Sequence, residues 1–174
     1  NAHPHFSSDG RIAMIHNGII ENYRVLKEAL AAEGVTFRSE TDSEVLVNLI
    51  EYIRNSEGCT LEEAVRLALK KAVGAYAIAV IERGNRDRII AARQSSPMAI
   101  GVGEGEYFIS SDASSIVEYT HEIVYVEDGE IAVIERGKPL QLVTLENMEA
   151  DVKVTTLDIS ISDLEKGGYP TFML

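Results

Sequence analysis

Apolar residues recur along this chain with two different periods, and the change of period divides it. Residues 11–15, RIAMI, form a short apolar run that predicts a mostly buried strand. After Asn22, a helix cap by residue type, Val25, Leu26, Ala29 and Leu30 share one helical face, and Gly34 ends the element. In SETDSEVLVNLIEYI, Val45, Leu46, Leu49, Ile50 and Ile53 make a second helical stripe, and Thr41 with Glu44 predicts a capping box at its start. Thr60 with Glu63 repeats the device and predicts a third helix to about Val73, with Gly74 after it.

Beyond Gly74 the period changes from helical to alternating. AYAIAVIE, RIIAAR, MAIGVG, EYFIS, EIVYVED, EIAVIER and LQLVTL are short, rich in β-branched residues and separated by Gly, Asp or Asn, as strands are. EDGEIAVIERGKPLQLV reads as two successive hairpins, GNRDR as a hairpin turn and SDASSIVEY as one or two helical turns between strands. Three helices followed by many antiparallel strands predict an α+β domain with layered sheets. No repeat or low-complexity linker marks an internal domain boundary.

Composition narrows the partners. The 174 residues are 45% hydrophobic and 25% charged, enough for one domain with a real core. A net charge of -12 argues against nucleic acid and anionic membrane as partners. The longest apolar runs, such as Ala75 to Ile81, are far too short to cross a bilayer, and no targeting segment is visible. A single cysteine, Cys59, excludes an internal disulfide framework and fits a reducing cytoplasm.

Few residues offer chemistry. Cys59 directly precedes the Thr60 cap, where an apolar side chain packs on the fourth helical residue, here Ala64; a reactive thiol at a helix start is the lesser alternative. The histidines are His3, His5, His16 and His121, and HPH lacks the companions of a familiar metal site, so no metal is expected. GVGEGEYF lies between strands with no helix following, unlike a phosphate cradle. Asp42 follows the Thr41 cap, where a carboxylate complements the helix dipole; it would equally meet a substrate ammonium group, and spacing favours the first role. Asn17-Gly18 has two readings. Asn-Gly is a strong hairpin-turn pair. An Asn side-chain amide beside a Gly backbone N–H also makes an oxyanion hole, and Gly admits close approach. The residues alone leave these readings level.

NAHPH, HNGIIENY, SETDSEVL, GAYAIAVI, AARQSSPMAIGVG, YFISSDASSIVEYT and YVEDGEIAVI occur here in the order found in class II glutamine amidotransferase domains. The chain resembles these domains, of the N-terminal-nucleophile hydrolase superfamily, over essentially its whole length. The resemblance implies a four-layer α/β/β/α sandwich of two antiparallel sheets, with no cofactor. It implies attack on the glutamine side-chain amide by an N-terminal cysteine thiolate whose own α-amino group is the base. Asn17 and Gly18 would form the oxyanion hole, Gly18 would also touch the bound L-glutamine, and Asp42 would hold its α-ammonium group. The likeness is greatest to the branch that turns fructose 6-phosphate into glucosamine 6-phosphate. A branch serving a phosphoribosyl substrate is the alternative, as is a non-catalytic binding or regulatory domain of the same fold.

The resemblance has gaps. The family nucleophile and the Arg-Trp-Ala-Thr-His stretch that holds the glutamine carboxylate would both precede Asn1, and Cys59 does not match the nucleophile. The expectation is a partial amidotransferase domain over residues 1–164 that is inactive alone and binds glutamine weakly or not at all. EKGGYPTFML, residues 165–174, resembles the start of a linker to a sugar-isomerase domain. Without the first strands, exposed sheet edges would favour pairing of copies into a homo-oligomer.

Overall fold

The structure is a computed structural model and describes residues 3–158. The expected linker at 165–174 lies outside the described residues.

A two-residue strand, β1 (His5–Phe6), turns into β2 (Ile12–Ile20), and three helices follow: α1 (Tyr23–Ala32), α2 (Asp42–Ser56) and α3 (Leu61–Leu69). The remaining elements are strands. They are β3 (Gly74–Glu82), β4 (Asn85–Gln94), β5 (Ala99–Val102), β6 (Tyr107–Ser110), β7 (Glu122–Tyr125), β8 (Glu130–Glu135), β9 (Gln141–Thr144), β10 (Glu149–Ala150) and β11 (Val154–Thr156). A 3-10 turn at Ala113–Ser115 follows β6, where helical turns were expected. The strands form a seven-stranded sheet in the order β1-β2-β3-β4-β8-β9-β10 and a four-stranded sheet in the order β11-β7-β5-β6. Every pairing between named strands is antiparallel.

Three apolar cores separate the layers. The largest joins the helices to one face of the large sheet, with Val45, Leu46, Ile50, Ala64 and Val65 against Ile12, Met14, Ile78 and Ile90. The second lies between the sheets, where Ala91 and Ala132 meet Ile100 and Val124. The third, Ala99, Ile116 and Ile123, seals the outer face of the small sheet under the 3-10 turn. Among the described residues that turn is the fourth layer.

Five local readings need correction. β2 does not stop at Ile15; it continues through Asn17-Gly18 to Ile20, fully paired with β3, so Asn17-Gly18 is not a turn. Asn22 stands at the cap position of α1 but makes no cap bond. Its amide donates to the Lys71 carbonyl at 2.8 Å and its oxygen accepts from the Val73 N–H at 2.9 Å, tying the start of α1 to the run into β3. The third helix ends at Leu69, short of Val73. The turn after β3 centres on Arg83-Gly84, so Asn85 to Arg88 already belong to β4. Thr41 caps α2 as expected, but Glu44 does not close the box. Its carboxylate instead accepts from the Arg38 N–H at 2.7 Å and the Ser39 N–H at 2.6 Å, folding the preceding loop over the helix start.

Candidate functional site

β2 alternates. Ile12, Met14, His16 and Ile20 are buried towards the helices, whereas Ile15, Asn17 and Ile19 are exposed. β1 covers the outer edge of β2 only at Ala13 and Met14. From Ile15 onward that edge has no strand partner among the described residues.

The backbone at Gly18 is unusual. Its φ is +122°, and a Cβ built there would lie 2.0 Å from the Ala75 carbonyl oxygen on β3. Gly74, which pairs with Ile20 two positions along, has φ +141° and meets the Ile19 carbonyl in the same way. The two strands approach too closely here for side chains, so the sheet itself demands glycine at 18.

The start of α2 meets this edge. One Asp42 carboxylate oxygen accepts from the Ile20 N–H at 2.8 Å, and the other accepts from the Ser43 N–H at 2.8 Å. The Ser43 hydroxyl lies 2.8 Å from Nδ1 of His16. Asp42 is half-buried, and a carboxylate offers about four acceptor positions, so capacity for a further donor remains. The structure therefore brings Asp42 to within two residues of Gly18 along one strand edge, from positions far apart in sequence. On the opposite face, Asn17 lines a cavity of about 170 Å³ between the sheets, with His3, Pro97, Met98, Ser110 and Ser111.

Two histidines beside this edge have pKa values below the ordinary one. Burial lowers the His16 pKa, and His5 and His3 push it the same way, while Asp42 opposes them. His5 is also lowered, first by burial and then by His3. The His3 and His5 rings stand edge to face, 5.3 Å between centroids. Among the described residues, no group of three or more His, Cys, Asp or Glu is placed to hold a metal ion.

Cys59 is part of the packing. It is half-buried against the helical core, and burial, with Glu63 nearby, raises its pKa. A thiol shifted upward is not an activated nucleophile. Sequence reasoning singled out neither His16 nor Ser43. The alternation that buries Ile12 and Met14 also buries His16, and a histidine on an apolar strand face was the available clue.

A glutamine amidotransferase domain family matches residues 1–118. The glutamine–fructose-6-phosphate aminotransferase [isomerizing] of Bacteroides thetaiotaomicron is 56% identical over 174 residues, covering 100% of this chain and 28% of that protein. The protein of the same name in Methanothermobacter thermautotrophicus is 47% identical, covering 100% of this chain and 29% of its own length. The chain thus spans a little over a quarter of the curated relatives it matches. Among solved structures, glutamine phosphoribosylpyrophosphate amidotransferase from B. subtilis, complexed with ADP and GMP, superposes with a TM-score of 0.71 at 27% identity, over 83% of this chain and 32% of that one. The two-sheet sandwich is therefore the N-terminal-nucleophile hydrolase type, and no described helix is long and apolar enough to cross a membrane. With the family match covering two-thirds of its residues, the chain belongs to the glutamine amidotransferase domain family.

Proposed function

We propose that these residues form the glutamine-holding edge of a glutaminase whose ammonia converts fructose 6-phosphate into glucosamine 6-phosphate in a longer cytoplasmic protein. The observation that carries this is the convergence of Asp42 on the β2 edge beside Asn17-Gly18, through its bond to the Ile20 N–H. L-glutamine lies along that edge. Its α-ammonium group meets Asp42 and its side-chain amide meets Asn17-Gly18. In an antiparallel strand alternate N–H groups face the same side, and the Ile20 N–H faces outward to Asp42. By that alternation the Gly18 N–H belongs to the outward set, which suits an oxyanion donor.

The chemistry follows. A thiolate adds to the amide carbon, and the carbonyl oxygen becomes an oxyanion. The Asn17 side-chain N–H and the Gly18 N–H donate to it. Collapse expels ammonia with a proton from the attacking cysteine's α-amino group, leaving a thioester that water hydrolyses to glutamate. Cys59 is packed and unactivated, so the thiolate comes from a segment outside these 174 residues. A further domain, a sugar isomerase, consumes the ammonia.

The test is glutamate release from glutamine by the full-length protein, with and without fructose 6-phosphate, beside phosphoribosyl pyrophosphate. The expected outcome is stimulation by the hexose phosphate with glucosamine 6-phosphate appearing. Asn17→Ala should lower kcat by about 10²–10³. Asp42→Asn should chiefly raise KM for glutamine. Stimulation only by the pyrophosphate would move the protein to the branch of the B. subtilis structure, and no hydrolysis at all would favour a binding domain. The 174 residues alone should release no glutamate. Their open β2 edge and exposed Ile15 and Ile81 should pair copies, giving more than a monomer mass in light scattering.

A further inference from the structure

His16 is the polar exception on an apolar face. It is 5% exposed, flanked on its side of β2 by Met14 and Ile20, and its Nε2 has no hydrogen-bond partner among the described residues. An apolar side chain of similar size would fill the same space with no buried polar atom to satisfy. What histidine adds is Nδ1, 2.8 Å from the Ser43 hydroxyl. The Ser43 hydroxyl also lies 3.4 Å from Asp42 Oδ1. With the proton on His16 Nδ1, the ring donates to Ser43, the hydroxyl donates to Asp42, and Nε2 is left as a bare acceptor rather than an unpaired N–H. Burial, which disfavours the charged ring, is consistent with this neutral tautomer.

β2 is thereby tied to the start of α2 at two points. His16 bonds Ser43 on one side of Asn17-Gly18, and Ile20 bonds Asp42 on the other. The two ties bracket the dipeptide. We propose that the His16–Ser43 bond is a positioning device, which holds the Asn17-Gly18 backbone at a fixed height against α2 so that oxyanion donors and the Asp42 carboxylate keep the spacing one glutamine needs. Neither side chain touches the reacting atoms. The inference rests on the glutamine-edge reading above.

The two ties fail separately, and this makes the device testable. Ser43→Ala removes the His16 bond and the long 3.4 Å hydroxyl contact to Asp42 but keeps both 2.8 Å backbone donors to Asp42. In the full-length protein, active sites are first counted with a thiol-alkylating glutamine analogue, so that unfolded material does not enter the rate. Ser43→Ala is expected to lower kcat per counted site by about tenfold or more, since small misplacements of reacting groups are costly, while KM for glutamine changes little. Ser43→Thr, which keeps the hydroxyl, or His16→Asn, which keeps an N–H near the Nδ1 position, should restore most of the rate. A wild-type kcat per site in Ser43→Ala, or a fall in thermal midpoint alone, overturns the proposal. So does failure of both restoring variants. Asn17→Ala is the control. If it is inactive while Ser43→Ala is normal, the glutamine edge stands and the device falls. If Asn17→Ala is fully active, both fall.

Discussion

On its helix-facing side β2 presents Ile12, Met14, His16 and Ile20, all buried beneath α2. On its other side it presents Ala13, Ile15, Asn17 and Ile19, and Ile15 and Ile19 are 47% and 65% exposed. Consecutive residues of one strand thus live in different solvents. The covered face sets where the strand is. The open face and the open edge are where a ligand can reach it. The residues that matter for chemistry sit where the two regimes meet, with the buried His16 directly before the exposed Asn17. Rigid support behind and access in front are what a preorganised hydrogen-bonding site requires.

The comparison breaks most severely at Gly18. An alanine there would place its Cβ 2.0 Å from the Ala75 carbonyl, and β3 is held in the middle of the large sheet by β2 and β4. Backbone cannot yield as a flexible side chain would. Gly18→Ala is expected to cost about 4 kcal/mol or more, read from the midpoint of chemical denaturation. An unchanged midpoint with lost activity would show that the glycine serves only the ligand and that the strands separate easily.

Neighbouring residues give the next largest contrast. Met14 is 1% exposed and Ile15 is 47% exposed. Met14→Ala should cost about 2–4 kcal/mol through lost burial and an unfilled cavity. Ile15→Ala should cost under about 1 kcal/mol. Equal costs would mean that the second face of β2 is covered in solution, as pairing of copies would do.

Much of this division was legible in the sequence. The helical stripe of α2 and the seven strand runs after Gly74 are period arguments, and the packing follows them; α3 was placed by its Thr60 cap, which the structure keeps. Asn17-Gly18 stayed ambiguous as a local pattern because turn propensity is a preference of four residues, while nine paired residues on β3 outweigh it. The glycine's reason was also illegible, since it depends on the Ala75 carbonyl on another strand. Asn17, Gly18 and Asp42 were named from motif order, but their convergence needed the Ile20 bond to Asp42. Ser43 was hidden because a serine in the first turn of a helix already has a routine capping role. Glu44 resembled half of a capping box and proved to organise the loop before it.

Acid should erode the covered face in two stages. The folded His16 pKa lies below its ordinary 6.5. Below about pH 6.5 the unfolded chain therefore binds a proton that the folded chain refuses, and stability falls as pH drops. His5 adds in the same direction. Glu44 contributes lower down. Burial works against its charge, but the Ser39 hydroxyl and the Arg38 and Ser39 N–H groups outweigh burial and hold its pKa below 4.5. Its contribution is present above about pH 4.5 and is lost as pH falls through the folded value. Denaturation midpoints measured from pH 8 downward should show both declines. His16→Met should flatten the upper one and Glu44→Gln the lower one. An upper decline that survives His16→Met would assign it to His5 and leave the buried histidine without electrostatic cost.

The smallest effect is expected where the chain leaves the large sheet for the small one. Ser95 has φ +58°, in the left-handed region, just before Pro97 and Met98, which line the Asn17 cavity. Its N–H donates to Asp128 at 2.7 Å, and Asp128 also pairs with Arg93 at 2.7 Å, so the backbone is held in that conformation from outside. A left-handed non-glycine residue costs about 1–2 kcal/mol. Glycine removes that strain and keeps the N–H, but it gives the unfolded chain back about 0.4–1 kcal/mol of entropy. Ser95→Gly should therefore gain about 0.5 kcal/mol in the denaturation midpoint. Ser95→Val, whose β-branch suits this conformation poorly, should lose about 1–2 kcal/mol. If valine is tolerated as well as glycine, the Asp128 tie is not what fixes the loop. The cavity wall opposite Asn17 would then be free to move, and the open side of β2 would be less defined than its covered side.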